Sequence, residues 1–283
     1  MDRYAALIID LKKSRDYAAP DRVEIQNYIK KIIYALNELF HYSIKFEVVF
    51  SGGDEVQGLF KSPGAAYLYF RLFNMLVLPV DIRAGIGVGE WDIKIRGSVS
   101  TEQDGPVYHC ARFAIECIKD SLGYSVLLCS NTENDIYINS AINAATLLIN
   151  NQSRYQNELS ILTEILYPII MHNAFDVKKL FLIKKLIPIK NNKKYFSRQK
   201  AAKQNIQYPF NVIDLDNIES FIIDAAEEIS DLYVSSGKIK GLPGELSKIL
   251  GTSRQSIEKS IKSANIYQSR NLTITALKLI EKI

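Results

Sequence analysis

Two aspartates, Asp10 and Asp54, each close an apolar run, and carboxylates of this kind are hard oxygen ligands. The first run, Tyr4-Ala5-Ala6-Leu7-Ile8-Ile9-Asp10, leads into the polar loop Leu11-Lys12-Lys13-Ser14-Arg15. The second, Phe46-Glu47-Val48-Val49-Phe50, leads into Ser51-Gly52-Gly53-Asp54-Glu55-Val56. Pairing the two strands sets a strand-end carboxylate beside one on a hairpin that glycine permits. With lysines, a serine and an arginine close by, the expected chemistry is a Mg²⁺ (or Mn²⁺) site for a nucleoside triphosphate. Two such negative charges repel, so a divalent cation would relieve that cost as well as recruit phosphate.

The elements that must position these residues are legible in the apolar pattern. Tyr4–Ile9 is a continuous apolar run and reads as a buried strand. Pro20-Asp21 opens a helix whose stripe is Ile25, Ile29, Ile32, Ile33, Leu36, Leu39 and Phe40. Ile44–Phe50 and Glu55–Phe60 form a hairpin. Ser62-Pro63 starts a second helix through about Val77. A strand over Val80–Val88, a helix over Pro106–Lys119 and a strand over Tyr124–Cys129 follow. The order β-α-β-β-α-β-α-β predicts an α/β sandwich with a ferredoxin-like core over residues 1–130. Helices over Asp135–Ile149 and Leu159–Ile170, with Pro168 at the end of the second, begin a helical connector over 131–214. A helix over Ile218–Tyr233 opens an all-α segment over 215–283.

Three blocks in the first part carry a resemblance. They are Ile8-Ile9-Asp10-Leu11-Lys12-Lys13-Ser14-Arg15 with Asp21-Arg22 beyond, then Ser51-Gly52-Gly53-Asp54-Glu55-Val56-Gln57-Gly58-Leu59. The third is Arg83-Ala84-Gly85-Ile86-Gly87-Val88-Gly89-Glu90, followed by Asp104-Gly105-Pro106-Val107-Tyr108-His109-Cys110-Ala111-Arg112. In this order and spacing, residues 4 to about 130 resemble the SatD family. More distantly they resemble the palm domains of class III nucleotidyl cyclases and GGDEF proteins. The resemblance implies that Asp10 and Asp54 ligate the metal. It implies that the amides from Leu11 through Lys12 and Lys13 to Ser14 hold phosphates, with charge from Lys12, Lys13 and Arg15. Arg112 would match the arginine that steadies charge on the transferring phosphoryl group, and Glu55 would support the ligand beside it. It also implies a homodimer, because cyclases of this class build each site across two chains.

Two positions depart from the cyclase pattern. Tyr108 stands where a partner asparagine is usual, and Phe50 stands where a lysine reads a purine. A phenylalanine can stack on a base but cannot hydrogen-bond its edge. The two departures argue against purine cyclase chemistry and leave the expectation of nucleotide binding in place. The simpler alternatives are a turn carboxylate for Asp10, a helix-surface ion pair for Arg112 and an exposed histidine for His109.

Composition bounds these readings. The 283 residues are 47% hydrophobic and 10% aromatic, enough for buried cores in two domains. No stretch approaches the length of an uncharged apolar span, so no membrane segment is expected. The chain enters a strand pattern directly from Asp2, which argues against a secretory leader. Cys110, Cys117 and Cys129 lack metal spacing and read as reduced core thiols of a cytoplasmic protein. Three histidines exclude a His-rich metal site.

The net charge of +4 hides a segregation. From Val177 to Ile213 there is no acid but ten cations: Lys178, Lys179, Lys184, Lys185, Lys190, Lys193, Lys194, Arg198, Lys200 and Lys203. Subtracting these ten from +4 leaves −6 on the rest. So one-sided a stretch points to a polyanion, the alternative being a solvated helix face and linker.

Near the end, Leu242-Pro243-Gly244-Glu245-Leu246-Ser247-Lys248-Ile249-Leu250-Gly251-Thr252-Ser253 leads into Arg254-Gln255-Ser256-Ile257-Glu258-Lys259-Ser260-Ile261. Leu246, Ile249 and Leu250 face inward, Gly251 permits a tight turn, and Ser253 caps a second helix buried through Ile257 and Ile261. This is helix-turn-helix patterning, similar to the DNA-binding ends of bacterial regulators. Arg254 and Gln255 could read guanine and adenine edges, and Lys259 could meet phosphate. The same patterning also serves dimerisation and packing.

Two functions are expected from these features. One is a cytoplasmic nucleotide-responsive regulator that binds DNA through residues 215–283. The other is an active nucleotidyl cyclase or transferase that makes a signalling nucleotide.

Overall fold

Strand β1 (Tyr4–Leu11) is buried along almost its whole length and forms the middle of a five-stranded sheet. This computed structural model describes residues 3–92, 99–120, 123–197, 219–227 and 239–283. Helix α1 (Ala19–Leu39) starts with proline in its first turn and buries the expected isoleucine and leucine stripe. Strands β2 (Ile44–Gly52) and β3 (Glu55–Phe60) form the hairpin, with Gly53 in the left-handed region at φ 57°. Helix α2 (Pro63–Val77) is capped by Ser62, whose hydroxyl accepts from the Ala65 amide at 3.3 Å. Strand β4 (Ile82–Gly89), helix α3 (Pro106–Asp120) and strand β5 (Val126–Cys129) complete the sheet.

The sheet order is β2-β3-β1-β4-β5. β1 lies antiparallel between β3 and β4, and β5 is parallel to β4. The first four strands thus take the expected β-α-β-β-α-β arrangement, and α3 makes the crossover that adds the fifth.

Side-chain alternation along β1 divides the core. Ala5, Leu7, Ile9 and Leu11 join a large cluster with α1 and α2, while Ala6 and Ile8 join a smaller one with Val107, Tyr108, Ala111 and Ile115 of α3. α3 lies very close to β4. A Cβ on Gly87 would stand 2.1 Å from the Val107 carbonyl oxygen, and one on Gly85 would stand 2.2 Å from that of Ala111. The alternating glycines of β4 therefore admit the helix backbone.

The remaining elements are α4 (Asp135–Asn150), α5 (Arg154–Leu166), β6 (Ile169–Ile170), α6 (Phe181–Asn191), α7 (Lys194–Ser197), β7 (Ile223–Asp224), α8 (Leu242–Leu250), α9 (Arg254–Ser263) and α10 (Ile266–Ile280). α5 carries a full capping box between Ser153 and Gln156. It ends at Leu166, before Pro168, and the chain turns into β6 instead of continuing as helix to Ile170.

Three expectations are corrected. The helix expected over Ile218–Tyr233 is absent over 219–227, where β7 pairs in parallel with β6; residues 218 and 228–233 lie outside the described residues. The divisions at 130 and 214 mark no break in the core. Ile142, Ile161, Leu246, Ile257 and Leu277 share one cluster with Leu36 and Phe73, so α8 to α10 do not stand on a core of their own. The cation run does not form a single face. Lys190 is buried with Nζ 3.3 Å from Asn157 Oδ1, and burial pulls its pKa down to about 7. Lys179 pairs with Glu38 at 2.7 Å. Arg198, Lys200 and Lys203 lie outside the described residues.

No helix among the described residues is long and apolar enough to cross a membrane.

Candidate functional site

At the end of β1 the sheet register lines up a row of charges. Asp10 lies directly opposite Glu55 of β3 on one side and Arg83 of β4 on the other. Partners opposite each other project to the same face, here the α3 face that Ala6 and Ile8 also occupy. Arg83 donates to Asp10 Oδ2 from Nε at 2.7 Å, and its Nη2 lies 2.6 Å from the same oxygen. Arg112, carried by α3, grips Glu55 with both ends of its fork, Nη1 to Oε2 at 2.6 Å and Nη2 to Oε1 at 2.9 Å. Ser51 also donates to Glu55 Oε1 at 2.8 Å.

Burial raises the pKa of Asp10 above its usual value; Arg83 opposes this, and the charges of Asp54 and Glu55 add to it. For Glu55 burial pushes upward as well, but the bonds from Arg112 and Ser51 outweigh it and hold the carboxyl below its usual value.

A cleft of about 650 Å³ opens beside this row. Asp10, Asp16 and Asp54 line it together with Lys13, Arg15, Arg22 and Arg83; Leu11, Ser14, Gln26 and Gly53 complete the wall. Lys13 takes the left-handed conformation at φ 53° and leads into a single 3₁₀ turn over Ser14–Asp16, which wraps the strand end around the cleft. Gln26 of α1 donates to the Gly53 carbonyl at 3.0 Å and ties the hairpin tip to the helix.

Asp10, Asp54, Leu11, Lys13, Ser14 and Arg15 are thus brought together as expected from the sequence. Lys12 is not among the lining residues, and its amide donates to the Asp81 carbonyl at 2.9 Å, so it does not serve as a phosphate-holding amide. Phe50 is not brought in either. It lies opposite Val56, one step along from the Asp10–Glu55 row and so on the other face of the sheet, where it lines a shallow concavity with Ile33 and Tyr34. Arg112 and Glu55 sit next to the cleft but do not line it.

Tyr108 points into the α3-side core, its hydroxyl 3.3 Å from Ser100 Oγ, and burial pushes its pKa up to about 12. It is a core residue in place of a cleft residue. His109 is exposed, 3.4 Å from Asp104.

Sequence reasoning did not select Arg83, Arg22, Gln26 and Asp16. Arg22 was visible as part of the first block. Arg83 was likewise visible as the first residue of the third block, but its position opposite Asp10 follows only from strand pairing.

The second candidate surface is the α8–α9 pair. Gly251 ends α8 at φ 60°, and the Ser253 hydroxyl caps α9 by accepting from the Ser256 amide at 3.2 Å. Leu246, Leu250, Ile257 and Ile261 are buried between the helices, while Ile249 is half-buried. Arg254, Gln255 and Lys259 are exposed and share a concavity with Gly241 and Pro243 at the start of α8. Arg254 also pairs with Glu258 at 3.0 Å.

Among the described residues no three His, Cys, Asp or Glu side chains converge into a closed metal-ligand group. Two carboxylates in an open cleft fit the habit of Mg²⁺, which takes one or two protein carboxylates and completes its shell with water and phosphate.

The fold and cleft define an α/β protein with a cleft of mixed charge at the ends of its central strands. Residues 4–204 match the SatD family, more than half of the chain, and the protein belongs to that family. Two solved structures of a bacterial light-regulated adenylyl cyclase are similar at 11% and 15% identity, with TM-scores of 0.32 and 0.30. Each alignment covers 44% of this chain; the shares of the cyclase chains are 42% and 74%. The chain therefore spans less than half of the first of these. No curated protein matches it.

Proposed function

We propose that the cleft binds a nucleoside triphosphate or related nucleotide with Mg²⁺ or Mn²⁺, and that the α8–α9 pair contacts DNA. The protein would then be a nucleotide-responsive regulator. The observation that carries the first half is the cleft wall itself, where Asp10 and Asp54 stand among Lys13, Arg15, Arg22 and Arg83. Carboxylates suit the cation, and lysine and arginine suit the phosphates. Asp10 and Asp54 would hold the metal, which would neutralise phosphate charge there.

Asp54→Ala should abolish metal-dependent nucleotide binding and leave the fold intact, because Asp54 is half-exposed at a hairpin tip. Calorimetric titration with a non-hydrolysable triphosphate, with and without Mg²⁺, measures the first part and circular dichroism the second. Unchanged binding in Asp54→Ala would remove the metal reading.

An enzymatic reading is favoured by one feature, the delivery of Arg112 by α3 to the same charge row as Asp10. Incubation with each nucleoside triphosphate and Mg²⁺ or Mn²⁺, followed by mass spectrometry, separates the two. A new cyclic or linear nucleotide favours the cyclase or transferase, and bound but unchanged triphosphate favours the regulator.

The DNA reading rests on the exposed Arg254, Gln255 and Lys259 face. Arg254→Ala should cost about 1–3 kcal/mol on a cognate site and relax its specificity. Lys178→Ala with Lys185→Ala, both exposed, should weaken all duplexes alike and flatten the fall of affinity with salt. Titration against the protein's own upstream DNA and a scrambled duplex at two salt concentrations measures both. Negligible binding throughout would make α8–α9 a packing module.

A further inference from the structure

Asp10 is already occupied. Arg83 Nε donates to its Oδ2 and Nη2 lies 2.6 Å from the same oxygen, and the pairing is imposed by the sheet, since the two residues are direct cross-strand partners. The side chains are 13% and 25% exposed, so water does little to weaken the pair. Glu55, on the other side of Asp10, is held in the same way by Arg112. Arg83, Asp10, Glu55 and Arg112 form a row in which each acid has its own guanidinium.

This row has a consequence for ligand entry. A divalent cation arriving alone must displace a guanidinium from a shielded carboxylate and then sit beside the displaced positive charge. A cation arriving with a polyphosphate meets a different balance. The planar fork of arginine matches phosphate oxygens as well as it matches a carboxylate, so the guanidinium can pass from Asp10 to the phosphate while the cation takes Asp10. No charge is left unmatched. Arg22 lines the same cleft, and its Nε is buried with no hydrogen-bond partner, a donor suited to an incoming anion.

We infer that Arg83 is an internal counter-ion that keeps Asp10 closed to a bare divalent cation and releases it when a phosphate group accepts the guanidinium. This rests on the nucleotide-binding reading of the cleft. It adds that metal and nucleotide bind synergistically, with Arg83 as the residue that couples them.

The test is Mn²⁺ retained with the full chain on ultrafiltration, with and without non-hydrolysable ATP and GTP analogues. It is run on the wild type, Arg83→Met and Arg83→Lys. The wild type should bind Mn²⁺ about tenfold or more tightly with a triphosphate present, the scale on which one close charge shifts a carboxylate. Arg83→Met should bind bare Mn²⁺ about tenfold more tightly than the wild type and gain less from the triphosphate. Arg83→Lys keeps the charge without the fork and should still bind bare Mn²⁺ as weakly as the wild type while gaining less from the triphosphate.

Arg83→Met binding bare Mn²⁺ no more tightly than the wild type overturns the inference. So does a wild type that binds bare Mn²⁺ as tightly as with triphosphate, a result that needs no variant. Triphosphate-dependent binding that is equal in wild type and Arg83→Met would end the counter-ion role and leave the nucleotide reading standing. No Mn²⁺ binding in any combination would end both.

Discussion

Glu164→Gln should destabilise the protein by about 3–5 kcal/mol, the cost of removing one partner from a buried ion pair. Glu164 of α5 is buried between Arg71 of α2 and Arg270 of α10, both also buried. Arg71 Nη2 reaches Glu164 Oε1 at 2.8 Å, and Arg270 Nη1 donates to the same oxygen. Arg71 Nε also donates to Thr273 at 3.0 Å, and Arg270 Nη2 to the Tyr167 carbonyl at 2.8 Å. Glutamine keeps an acceptor but leaves two guanidinium charges in the interior without their carboxylate.

This cluster joins α2, against the sheet, to α10, so its loss should loosen the C-terminal helices from the rest. The pH dependence has a definite sign. Burial raises the pKa of Glu164, but Arg270 and Arg71 outweigh it, so the folded value lies below the usual 4.5. The stabilisation is then complete above the unfolded value and is lost as pH falls through the folded one. Urea unfolding of wild type and variant at neutral and acid pH measures both effects, and their difference should shrink in acid. A variant within 1 kcal/mol of the wild type at neutral pH would show that the cluster does not hold these helices, since ~1 kcal/mol is an ordinary substitution.

Gly87→Val should cost at least about 3 kcal/mol, the upper end of overpacking penalties, because its Cβ would meet backbone, which cannot rotate away. The nearest atoms are the Val107 carbonyl oxygen at 2.1 Å and the Ala111 amide nitrogen at 2.2 Å. α3 would be pushed off β4, and Arg112 would be carried away from Glu55. Gly244→Ala is the contrast. It lies inside α8 with nothing within 4 Å of its Cβ position, and it should stabilise by up to about 1 kcal/mol. Thermal unfolding of the two variants checks the pair. Wild-type stability in Gly87→Val would mean that α3 does not approach β4 so closely.

Much of the site was readable in the chain because it is made locally. Asp10 and the loop to Arg15 are contiguous, and the Gly53–Asp54 tip is a short hairpin whose glycine takes φ 57°. The helix stripes and the serine caps at Ser62 and Ser253 are likewise local features, and the structure places them where periodicity and capping chemistry put them. The cap at Ser153 starts α5 at Arg154, five residues before the expected Leu159.

Phe50 was misjudged because a strand changes face at every residue. Matching the chain by motif position put Phe50 in the cleft, whereas its partner Val56 faces α1. Lys190 was counted with its neighbours as a surface cation, yet α6 turns it inward toward Asn157. The short strand β7 was hidden because its two residues pair with β6, more than fifty positions earlier, and no local pattern records such a partner.

By itself the sequence determined the identity and chain order of the strands of the five-stranded sheet, the hairpin that carries Asp54 and the helix pair α8–α9. These follow from periodicity, turn residues and caps, all short-range. Only the tertiary structure decided that Arg83 closes over Asp10, that Arg112 grips Glu55, and that Arg270 reaches Glu164 across 106 residues. Charge pairing depends on which strands lie side by side and which helix covers them. That arrangement is set by burial of the whole chain and is not written in any one segment.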